Sequence, residues 1–100
     1  MKEQLTPQKA KQILEKAFLP IQCHVEYYDF FDNKALIRLI KEDGTPLYYL
    51  ESKTEDIISP YIGVGLPTKI GLIRQFLKEQ LQYQLLPWDS QVIKKALTEE

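Results

Sequence analysis

The sequence predicts an α+β fold, a two-layer sandwich in the order α-β-β-β-α with a three-stranded antiparallel meander and a short C-terminal helix. Three features predict it: an apolar stripe at helical spacing near the start, a series of β-branched and aromatic runs on short connections, and a second helical stripe later in the chain. Two helices on one face of a small sheet enclose a single core. The 100 residues suit one domain, with a core over about 5–86 and an appended tail over 87–100.

The first helix is expected over 7–18. Thr6 can cap it, and Pro7 already holds a helical φ and has no N–H to leave unpaired. Ala10, Ile13, Leu14, Ala17 and Phe18 recur at offsets of three and four, with Lys9, Lys11, Gln12, Glu15 and Lys16 on the other side. Pro20 stops it by barring helical geometry at Leu19. Strands follow at Ile21–Tyr28, Lys34–Ile40 and from Thr45 or Pro46 to about Ser52. Asp43-Gly44 is a hairpin signal, since Gly44 can take a positive φ. Short connections require antiparallel pairing, because parallel neighbours need a long crossover.

Residues 53–67 carry weaker signals. Thr54 could cap one helical turn through Ile58, and Pro60, Gly63, Gly65 and Pro67 punctuate a loop. The second long helix is expected from about Thr68 to Leu86. Its stripe is Ile70, Ile73, Leu77, Leu81 and Leu85, widened by Leu72 and Phe76, and Pro87 ends it. In the tail, Asp89 has the character of an N-cap, with Trp88 and Ile93 at the spacing of a hydrophobic staple. Val92, Ile93, Ala96 and Leu97 form a short apolar edge.

Composition excludes several function classes. Lys and Arg total 13 against 14 Asp and Glu, a net charge of -1, which disfavours a strongly electropositive nucleic-acid binder. One cysteine cannot form an intramolecular disulfide, and one histidine leaves little metal-ligand inventory, so neither a metal nor a cofactor is expected. No run approaches the ~18 apolar residues of a membrane span. The opening Met1-Lys2-Glu3-Gln4 has no apolar stretch behind it, and a cytoplasmic protein is expected.

The segment Leu5-Thr6-Pro7, followed by Ile13-Leu14-Glu15-Lys16-Ala17-Phe18-Leu19-Pro20-Ile21-Gln22-Cys23, resembles the start of the domain of unknown function 1652 family of short bacterial proteins. Their opening helix likewise ends in an aromatic-Leu/Ala-Pro-Leu/Ile segment with a cysteine soon after. The resemblance is strongest over residues 5–23 and schematic over 24–86, where Asp43-Gly44 and the late helix fit the layout. It implies no activity, cofactor or catalytic residue.

Four constellations invite chemistry, and each has a plainer reading. Cys23 and His24 suggest a nucleophile and its base, but neighbours on a strand point to opposite faces. Asp29 and Asp32 flank Phe30-Phe31, where carboxylates suit turn formation and no calcium-loop series is present. Gly63-Val64-Gly65-Leu66-Pro67-Thr68 precedes a helix but lacks the Gly-Lys-Ser/Thr of a phosphate loop. The element order also matches double-stranded-RNA-binding domains. There Lys69 and Arg74 would form the basic patch, enough only for weak, salt-sensitive binding.

The outer sheet face is the strongest candidate site. Alternation places Leu36 and Ile40 beside Arg38, and Leu47 and Tyr49 beside Glu51, with His24, Glu26 and Tyr28 on the first strand. Such a face should be mostly polar if wet. Three readings are open: the tail from Trp88 covers it, or Tyr28, Leu36, Arg38, Ile40, Leu47 and Tyr49 contact another protein or a second copy in a homodimer, or these are scattered surface apolar groups left exposed. A protein-binding or regulatory module without catalysis is therefore expected. The alternatives are a weak nucleic-acid-binding module and an enzyme of unassigned type.

Overall fold

The structure, a computed structural model, describes residues 4–28, 33–60, 65–89 and 91–98. Helix α1 spans Pro7–Ala17, and the Thr6 hydroxyl accepts from the Lys9 amide at 3.1 Å, so the expected cap is made. Strands β1 (Gln22–Tyr27), β2 (Lys34–Ile40) and β3 (Pro46–Lys53) form an antiparallel sheet in the order β1-β2-β3. Gly44 sits at φ 90, and the Lys41 amide donates to the Thr45 carbonyl at 2.9 Å to close the β2–β3 turn. A bulge at Leu39/Ile40 breaks the β2–β3 register near that turn.

Helix α2 is a short turn, Thr54–Ile58, followed by α3 at Leu66–Glu79 and α4 at Gln91–Thr98. The core lies between the sheet and the helices. Cys23, Val25, Ala35, Ile37 and Leu39 project from the inner face onto Ile13, Leu14, Ala17 and Phe18, with Ile57, Ile70, Ile73 and Leu77 completing it. This is the expected α+β fold.

Several details depart from the sequence reading. Thr54 begins α2 instead of capping it; Lys53 holds the cap position and makes no side-chain cap bond. Helix α3 starts at Leu66 and ends at Glu79, well short of Leu86. Gln82 adopts φ 58, and the Tyr83 amide bonds back to the Leu77 carbonyl at 3.0 Å. Leu81 and Leu85 therefore follow the helix without belonging to it, and Leu72 faces solvent on its surface.

The tail joins the core on the helical side. Ile93 is buried in it, Trp88 and Ala96 pack against it, and the Lys9 ammonium donates to the Ala96 carbonyl at 2.9 Å. The Asp89 carboxylate accepts from the Gln91 amide at 2.9 Å, an Asx bond two residues ahead of α4, which begins at Gln91. Tail cover of the outer sheet face is thereby overturned, since α4 rests against α1 on the opposite side of the sheet. Asp29, Phe30, Phe31, Asp32, Gly63 and Val64 lie outside the described residues, as does the side chain of Leu97.

Candidate functional site

The register defines the outer face residue by residue. Arg38 lies between His24 and Tyr49, Leu36 between Glu26 and Glu51, and Ile40 between Gln22 and Pro46. Leu36, Arg38, Ile40, Leu47 and Tyr49 line one shallow depression of about 460 Å³ beside the bulge. Tyr28 stands apart. Its amide pairs with the Lys34 carbonyl at 2.8 Å, at the other end of the strands.

The apolar members of this face differ in exposure. Leu36 is buried at 7%, whereas Tyr49 is 69% exposed, the most exposed large apolar side chain among the described residues. Arg38 approaches Glu26 at 3.9 Å and Lys34 approaches Glu51 at 3.9 Å. Both pairs are well exposed and add little to stability. Their effect is to leave the depression nearly neutral, ringed by both signs of charge.

The nucleophile reading of Cys23 meets a chemical obstacle. Its thiol is buried on the inner face while His24 lies exposed on the outer one. Desolvation by burial, and next the charge of Glu15, push the thiol up to about 12, so the reactive thiolate is suppressed near neutral pH. Burial also pushes the Tyr27 hydroxyl up to about 12 while it donates to the Pro7 carbonyl at 2.6 Å. The Asp43 carboxyl is held below its ordinary range by hydrogen bonds from Thr45, side chain first and then backbone, which is turn chemistry.

Lys69 and Arg74 do not form a joint patch. The Arg74 guanidinium donates to the Ala17 carbonyl at 2.6 Å and to the Leu86 carbonyl at 2.7 Å. It ties the end of α1 to the segment after α3, and that tie takes its charge away from a phosphate-binding role. Lys69 lies five residues earlier on α3, far round the helix from Arg74, beside Tyr48 and Leu72. Sequence alone could not show this, because main-chain carbonyls leave no residue-type signature.

Compared with family models, curated proteins and solved structures, the chain matches none. Among the described residues no group of three or more His, Cys, Asp or Glu side chains is placed to hold a metal ion. No helix there is long and apolar enough to cross a membrane.

Proposed function

We propose that this chain is a small non-catalytic protein-binding or regulatory module of the cytoplasm that makes contact through the outer face of its sheet, with another protein or a second copy of itself as partner. The observation that carries the reading is the neutral apolar depression around Leu36, Ile40, Leu47 and Tyr49, with no element of the described chain folded over it. Interfaces favour an aromatic and aliphatic centre inside a polar rim, and Tyr and Arg are the residue types most often found to anchor them. Tyr49 and Arg38 occupy such positions, with Glu26, Glu51 and Lys34 as the rim.

The nucleic-acid alternative draws less support, because Arg74 is engaged by two carbonyls and Lys69 alone supplies little counterion release. The experiment is light scattering on gel-filtered protein together with co-purification from native cells, on wild type and on Tyr49→Asp. Dimer formation, or one partner retained by wild type and lost by Tyr49→Asp, supports the reading. A monomer whose co-purifying proteins are the same for both forms overturns it.

A further inference from the structure

On the other side of β3 a second surface is built differently. The Thr54 amide donates to the Asn33 carbonyl at 2.7 Å, which fixes the alternation along the strand. Tyr48, Leu50 and Ser52 direct their backbone groups at β2, so Tyr49 and Glu51 direct theirs away from the sheet. Among the described residues, these outward N–H and C=O groups have no backbone partner. Natural edges are usually blunted by charge, proline or a covering element. Here Pro46, Glu51 and Lys53 supply such features, but Leu47-Tyr48-Tyr49-Leu50 is an uncharged run of four.

Beside this edge, on the inner side of the sheet, a groove of about 370 Å³ separates β3 from α3. Leu50, Ile73 and Phe76 lie along it, Tyr48 and Leu72 flank it, and Lys69 supplies its charge. The Tyr48 ring rests on Phe76 with centroids 5.0 Å apart, while Leu72 remains 63% exposed. Lys69, Leu72 and Phe76 follow at offsets of three and four, so one face of α3 overlooks the groove along its length. Among the described residues Lys69 has no ion-pair partner.

We propose that the groove between β3 and α3 binds an extended segment of another protein by strand addition to β3, with a large apolar side chain seated against Leu72 and Phe76 and an acidic side chain at Lys69. The backbone edge supplies register and hydrogen bonds, and alternate side chains of an added strand point into the groove. Charge chooses the occupant. A second copy pairing through its own β3 would present Tyr48, Leu50 and Ser52 on the inner side, a row without a carboxylate for Lys69. One cation in an apolar groove also fits a peptide better than a phosphate backbone.

This surface stands independently of the outer-face reading, since it uses the opposite face of β3. The test is selection of a random twelve-residue peptide library on phage against the whole chain, followed by amide-shift titration with the enriched peptides made synthetically. Expected are sequences with apolar residues at alternate positions and an Asp or Glu, shifting the amides of Tyr49, Glu51, Leu72 and Ile73. Lys69→Glu should weaken them at least tenfold and Leu72→Asp should abolish binding, with both variants giving folded spectra. Three results overturn the proposal: no enrichment, affinity unchanged in Lys69→Glu, or concentration-dependent shifts along β3 without peptide, which assign the edge to a second copy. Peptides that shift only Arg38 and Leu47 overturn it too, while supporting the outer-face reading.

Discussion

The two edges of this sheet treat solvent in opposite ways. At the β1 edge, α1 runs alongside the strand, and Tyr27 is tied to the Pro7 carbonyl at 2.6 Å. Lys11, Gln12 and Glu15 surround that junction, and the outward residues Gln22, His24 and Glu26 are polar. At the β3 edge, Tyr49 on one face and Tyr48 and Leu72 on the other remain exposed. A sheet edge left apolar on both sides is an aggregation hazard unless something binds it, whereas a polar, helix-flanked edge is already protected. The difference is the reason the proposed contact falls on the β3 side, while the β1 side is already protected.

The largest expected effect concerns what both edges share. Leu14 is fully buried beneath the sheet, so Leu14→Ala should cost roughly 2–5 kcal/mol in urea unfolding. A loss below about 0.5 kcal/mol would remove the common core on which the comparison stands. Next comes Arg74→Ala, which deletes two charge-assisted bonds, one of them exposed, and should cost about 1–3 kcal/mol. It should loosen the residues around Leu86 while leaving β3 unchanged. Perturbation centred on β3 would mean that the segment after α3 covers that edge after all.

Strand β1 should impose an alkaline pH dependence on stability. Cys23 and Tyr27, both on β1, have folded values raised to about 12 from 9.0 and 10.0. A raised acid binds its proton more tightly in the folded state, so the stabilisation is complete below pH 9.0 and is lost as pH climbs towards about 12. Melting temperatures should therefore fall over that window, and Cys23→Ala should flatten the fall. An alkaline profile that Cys23→Ala leaves unaltered contradicts a buried thiol. The smallest stability effects belong to the surfaces themselves: Tyr49→Lys, Leu72→Lys and His24→Lys should each stay within about 0.5 kcal/mol of wild type. Of the three, only Leu72→Lys should change binding in the peptide titration, whereas Tyr49→Lys should change association through the outer face.

Much of this contrast can be read in the residues. β1 alternates polar and apolar from Gln22 to Tyr27, the pattern of a strand with one wet face, while β3 interrupts its alternation with Tyr48-Tyr49. The bounds of β2 and the Asp43-Gly44 turn were legible because their signals are local. The end of α3 was not. Leu77, Leu81 and Leu85 keep a helical spacing past the break, and the left-handed residue there is Gln82, not the glycine that usually marks such a stop. The outer-face patch followed from alternation, but its openness depended on where the tail packs. The β3–α3 groove depended on how far a helix stands from a strand, and no spacing within either element encodes that distance.

The most direct test of an open β3 edge is residue-resolved amide hydrogen exchange on the dilute protein. The amides of Tyr48 and Leu50 point at β2 and should be protected. Those of Tyr49 and Glu51 point outward and should exchange at nearly the rates of unstructured chain, giving a strong alternation along a single strand. Protection of Tyr49 and Glu51 equal to that of Tyr48 and Leu50 would show that the chain already caps this edge itself, and would contradict the assignment of partner binding to β3.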